Sequence, residues 1–189
     1  MAAVAVSDCV GSKNMPKARK MLSDWDAPYI QSLVKLIETQ SKSTLAHWAV
    51  DYAERVILPL WSKHYPDDQR PQNALNATRE WLSGAIKLPQ AKIAILKCHA
   101  AARESGVNPA AQVAARAIGQ CASTIHSARH CIGLALYGAI AVAYDTLGTN
   151  TSWQRLEQCA ADECVRMLDA LRAVSVDDEP NPAKIDWKC

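Results

Sequence analysis

The stretch "TIHSARHC", residues 124–131, sets His126 and His130 four residues apart in the least charged region of the chain. On a continuous helix that spacing puts both imidazoles on one face, where the pair can ligate one metal ion. The HExxH pattern of a metalloprotease is incomplete, because Ser127 stands where the general-base Glu would be. A third ligand must come from elsewhere, and His99, His47, Asp51 and Glu54 are of the right types. One reading is therefore a metal-binding protein or enzyme in which His99, His126, His130 and Glu54 hold a divalent metal between helices. The competing reading, favoured by the missing general base, makes the imidazoles a hydrogen-bonded polar seam of the core with no cofactor.

Other polar groups are open to two readings as well. Lys92, His99 and Arg103 share one side of a helix by spacing, and Arg103 is expected to pair with Glu54 or Asp51 as a structural ion pair. His47, Asp51, Glu54 and Arg55 form a polar stripe that reads first as a solvated helix face. Trp48, Trp61 and Trp81 sit at core spacing and read first of all as packing residues. Trp61 and Tyr65, beside "PDDQRP", are also expected to form an exposed aromatic rim, with Glu54, Asp67, Asp68 and Arg70 completing a partner-binding surface. The chain has no Gly-rich phosphate loop, no GxSxG and no Cys with a catalytic signature, which disfavours the common nucleotide enzymes and hydrolases.

These residues need helices to position them, and the apolar period supplies helices throughout. Asp26 and Pro28 start a first helix with Ile30, Leu33, Val34 and Ile37 inward; Ser43 or Thr44 caps a second, which Pro59 is expected to kink. Pro71 opens a third that loosens near Gly84, and a fourth covers about Pro89 to Glu104. Asn108 and Pro109 give a cap and first-turn signal for a fifth. Between Arg116 and Asp145 the only formal charge is Arg129, so this region must be central, with a break expected near Ser123 to Ser127. Thr151 and Gln154 form a capping-box signature for a last helix through Leu171. No segment alternates long enough for a strand. The expected fold is all-α: a single-domain bundle of about seven mostly antiparallel helices. Residues 1–22 are expected to be a lead-in, with the first fourteen outside the fold, 23–173 the domain, and 174–189 a tail acting as a surface strap or frayed end.

Composition narrows the function classes. A net charge of +2 from interspersed charges gives no broad basic face for nucleic acid, and the one basic cluster, Lys13, Lys17, Arg19 and Lys20, reads as a solvated lead-in. Seven unpatterned Cys fit reduced thiols in a cytosol. "MAAVAV" lacks the basic region of a signal peptide, and the apolar stretch Cys131 to Tyr144 is shorter than the roughly 18 residues of a membrane span, so neither secretion nor membrane insertion is expected. The sequons at Asn76 and Asn150 then carry no weight.

Three stretches carry a family resemblance: Ala53-Glu54-Arg55-Val56 with Leu58-Pro59-Leu60; Pro66-Asp67-Asp68 with Arg70-Pro71; and His99-Ala100-Ala101-Ala102-Arg103 followed by the His126 and His130 region. Over about residues 44–145 the chain resembles the bacterial proteins called putative immunity proteins, the all-helical, immunity-five-like group linked to polymorphic toxin systems. The resemblance implies a cytoplasmic all-α protein that neutralises a cognate protein toxin by binding it, with no cofactor and no catalytic residues to carry over. Immunity proteins often oppose a basic nuclease with an acidic face, and the slight positive charge of this chain argues against such a target. Two alternatives stay open: the metal or enzyme site above, and a helical homo-oligomer joined through the Ala-rich helices.

Overall fold

The computed structural model describes residues 18–187, and helices form every regular element among them. In chain order they are α1 (Pro28–Ile37), α2 (Lys42–Tyr52), a π-helical turn (Ala53–Ile57), α3 (Leu58–Ser62), α4 (Arg70–Leu82), α5 (Leu88–Glu104), α6 (Pro109–Ser123), a 3-10 turn (Ala128–Ile132), a second π-helical turn (Leu134–Gly138), α7 (Ala139–Leu147) and α8 (Trp153–Arg172). The expected all-α architecture is present. Residues 1–14, expected to lie outside the fold, fall outside the described residues.

The core is organised around α6, whose Ala, Val, Ile, Gly and Cys side chains are buried on almost every face. Small side chains let neighbouring helices approach closely, and α6 packs against α2, α3, α4, α5 and α7. Asn108 caps it as the sequence predicts, its side-chain oxygen accepting the Ala111 N–H at 3.0 Å. The helix stops at Ser123, whose hydroxyl donates back to the Gly119 carbonyl, and the expected break falls at residues 124–127. The run Ala128–Leu147 is long and apolar enough to cross a membrane, but 61% of its apolar window is buried inside the molecule, against α6 and α8.

Other local signals resolve differently. At Pro59, where a kink is expected, the helical run carries on through a change of winding. A π turn precedes it, in which the Leu58 N–H reaches back to the Ala53 carbonyl, and this extra residue accommodates the missing N–H and bulky ring of proline. The second π turn meets the first where Gly138 lies against Ile57: a Cβ on Gly138 would stand 3.2 Å from the Ile57 Cδ1. Ser41, not Ser43 or Thr44, caps α2, and Ala27, not Asp26, precedes α1. The Thr151–Gln154 capping box does not form, since Ser152 takes the cap position and the Thr151 hydroxyl turns back to the Leu147 carbonyl at 2.7 Å.

Both ends of the described chain are tied to the bundle. Leu22 is core, its N–H donating to the Leu136 carbonyl, and Tyr144 donates its hydroxyl to the Arg19 carbonyl at 2.8 Å. The tail is a strap: Gln40 accepts from the Val176 N–H and donates to its carbonyl, while Trp187 donates to Glu38 and packs on Trp25. On α8 the buried Glu163 carboxylate accepts the Tyr52 hydroxyl at 2.7 Å and the Arg166 guanidinium, which fixes α8 against α2.

Candidate binding surface and histidine cluster

The helix through α3 aligns Ile57, Leu58 and Trp61 at i, i+1 and i+4, so Trp61 faces the core with its neighbours. This corrects the expected exposed rim. Trp61 is only 1% exposed, and its indole N–H donates to the Asp68 carbonyl at 2.9 Å, pinning the loop before α4. Tyr65, half-buried, stacks on Trp61 with ring centroids 4.5 Å apart and carries the accessible part of the pair. Asp68 accepts from the Arg70 backbone N–H and twice from its guanidinium, and Arg70 reaches on to Glu104 at 2.7 Å. The hydrogen bonds from Arg70 hold the Asp68 carboxyl below its usual range.

Tyr65, Asp67, Asp68 and Arg70 line an open groove of about 460 Å³ together with His64 and Pro66. Arg70 also borders a second groove of about 210 Å³, whose other wall is the outer face of α5, including Ile93 and Lys97. Ile93 is 58% exposed and Leu96 66%. Their exposure was legible in the helical wheel: Ala91, Ile95, Cys98 and Ala102 already fill the buried face of α5, which leaves Ile93 and Leu96 no interior position.

Glu54 belongs elsewhere. It and Asp51 both hold Arg79 of α4, Asp51 at 2.8 Å, beside a cleft of about 530 Å³ that Arg55, Ala170 and Val174 also line. The expected partner, Arg103, takes no part, because α4 rather than α5 packs beside α2 there. Nothing in the sequence spacing singled out Arg79.

His126 and His130, in the chain after α6, are in ring contact, and His99 of α5 lies near enough for their charges to act on one another. His99 presses on Gly119, where an added Cβ would stand 2.6 Å from the ring. His126 and His130 have ring centroids 4.9 Å apart, and the His130 Nδ1 is 2.7 Å from the Gln120 Oε1. The metal ligand set is not assembled, since Glu54 pairs with Arg79, and among the described residues no three His, Cys, Asp or Glu side chains are grouped to hold a metal ion. The surroundings are basic instead. Burial first, then nearby positive charge, lowers the pKa of all three: Arg103 and Arg116 act on His99, Lys92 and Lys42 on His126, and His126 and Arg129 on His130, which falls to about 4.

The family model for Imm-5 like putative immunity proteins matches residues 35–170, from the end of α1 almost to the end of α8. The chain belongs to this family. Comparison with curated proteins and with solved structures finds no match. The family match covers the grooves beside Arg70, the histidine cluster and the Asp51, Glu54 and Arg79 side of the cleft, while Val174 of that cleft and the rest of the strap at residues 174–187 lie beyond it.

The five described cysteines are free thiols, four of them buried, and burial pushes Cys98 and Cys164 up to about 12. Such thiols are poor nucleophiles. The arrangement beside Arg70 offers rigid, mixed-charge contacts and exposed apolar side chains, which suit docking to another surface.

Proposed function

We propose that this immunity-family protein binds a cognate protein toxin in the cytoplasm and neutralises it by covering its working surface, with no cofactor. Nucleic acid and membrane are not its targets in this reading. The observation that carries it is the surface from Tyr65 and Asp67 across Arg70 to Ile93. Ile93 stands more than half exposed there, beside an arginine fixed by Asp68 and Glu104, and Leu96 follows one turn on along the outer face of α5. A desolvated apolar centre with a charged, preorganised rim is the anatomy of a specific interface. Of the residues expected for this surface, Tyr65, Asp67, Asp68 and Arg70 line it, Trp61 supports it from beneath, and Glu54 lies at the separate Arg79 cleft.

The test is protection of cells that express a candidate toxin domain, paired with the dissociation constant of the purified complex. Ile93→Asp with Leu96→Asp is expected to keep the helical fold, because both side chains are exposed, and to weaken the toxin complex by about 100-fold or more, as for loss of apolar anchors. His126→Ala with His130→Ala is expected to leave protection unchanged. Full protection by the Ile93, Leu96 variant would refute this surface, and self-association abolished by that variant, without any toxin complex, would assign the face to a homo-oligomer.

A further inference from the structure

We propose that His99, His126 and His130, together with Lys92, Arg103 and Arg116, form a binding site for a phosphate group. The placement begins with Gly119. Only a residue without a side chain lets the His99 ring sit on α6, and that contact brings His99 and Arg103, one turn apart on α5, beside Arg116 of α6, while Lys92, two turns before His99, lies towards His126. The loop after α6 closes the third side with His126 and His130, whose rings are in contact at 4.9 Å. His126 is exposed and the other two imidazoles are half-buried, so the cluster opens to solvent.

Two features point to an anion. Among the described residues, no carboxylate forms an ion pair with Lys42, Lys92, Arg103 or Arg116, although Arg70, Arg79, Arg166 and Arg172 all have one. The Arg116 Nε is buried with no hydrogen-bond partner among the described residues. A buried donor of this kind is rare in a folded chain and marks a guanidinium that has found no acceptor within it. A phosphate fits better than a carboxylate, because it offers up to four oxygens and nearly two negative charges to donors arriving from three elements, whereas a carboxylate offers two oxygens and one charge.

The proton inventory gives the site a signature. If the Gln120 Oε1 accepts, the His130 Nδ1 carries the hydrogen and its Nε2 is the group left to titrate. Among the described residues, the charges that act on the three imidazoles are those of Lys42 from α2, Lys92 and Arg103 from α5, Arg116 from α6, and Arg129, itself partnered, from the 3-10 turn. A bound phosphate supplies counter-charge, so it must raise the imidazole pKa values; as pH falls towards about 6 the second protonation of the phosphate itself opposes the gain from the imidazoles.

The experiment follows the imidazole resonances of the full-length protein at about pH 6.5, the ordinary histidine value, during titration with inorganic phosphate against sodium chloride of equal ionic strength. Saturable shifts of His126 and His130, with an upward move of their midpoints, are expected. Lys92→Gln and Arg116→Gln are each expected to weaken binding by about tenfold, as for one charge-assisted hydrogen bond, and Arg172→Gln is expected to leave it unchanged. Lys92 is exposed, so its variant keeps the test valid if the Arg116 variant misfolds. A nucleoside monophosphate run in parallel separates the sources: binding tighter than inorganic phosphate names a nucleotide, equal or weaker binding names free phosphate, and either supports the site. Shifts that chloride reproduces, or that never saturate, would overturn it, as would saturation by a glutamate peptide and not by phosphate.

Discussion

Gly133→Ala measures how tightly the centre of the molecule is closed. Gly133 follows the 3-10 turn with φ −59, so alanine suits its backbone, and helix propensity alone favours the change by up to about 1 kcal/mol. The space does not allow it. The new methyl would overlap the Gln120 Cβ and stand 2.6 Å from its Cγ, where ordinary contact begins near 3.4 Å. A Cβ is fixed to its backbone, so either α6 or the turn must move by about 1 Å, and overpacking of this kind costs about 1–3 kcal/mol. The net expectation is a loss of about 1–2 kcal/mol, or roughly 2–8 °C in Tm for a chain of this size. Gly119→Ala is the control, because the atoms it meets are those of the His99 imidazole, which can rotate away. Urea midpoints of both variants should rank Gly133→Ala as the more damaging. A Gly133→Ala protein as stable as the parent, or less affected than Gly119→Ala, would refute the close approach of the turn to α6.

Two further outcomes are expected. Trp61→Ala should cost about 3–5 kcal/mol, the loss typical of a buried large aromatic, whereas Tyr65→Ala should cost clearly less; urea denaturation followed by circular dichroism distinguishes this core role from an exposed rim, which would make the two equal. His130 is lowered in the folded chain, so its neutral form contributes stability at pH 7 that is lost as pH falls from the unfolded value of about 6.5 towards the folded value of about 4. For this partly solvated ring the effect should be on the order of 1 kcal/mol after screening, and His130→Gln should flatten that part of the stability curve; an unchanged slope would rule out His130 as its source.

The sequence by itself determined the helical class, the centrality of the Ala-rich segment after Asn108, and its break before His126, because each depends on local periodicity, capping and uncompensated charge. It also singled out His99, His126 and His130 as candidates, by residue type and, for His126 and His130, by the i, i+4 spacing. Tertiary packing decided the rest. Whether Trp61 faced water or core depended on the π turn that lets the helix continue through Pro59, and whether Glu54 met Arg103 or Arg79 depended on which helix lay beside α2. The character of the histidine cluster was also a tertiary matter: Glu54 was drawn to Arg79, while Gly119 admitted His99 beside Arg116. A one-dimensional pattern records which side chains want partners, but it does not record the distances that choose between them.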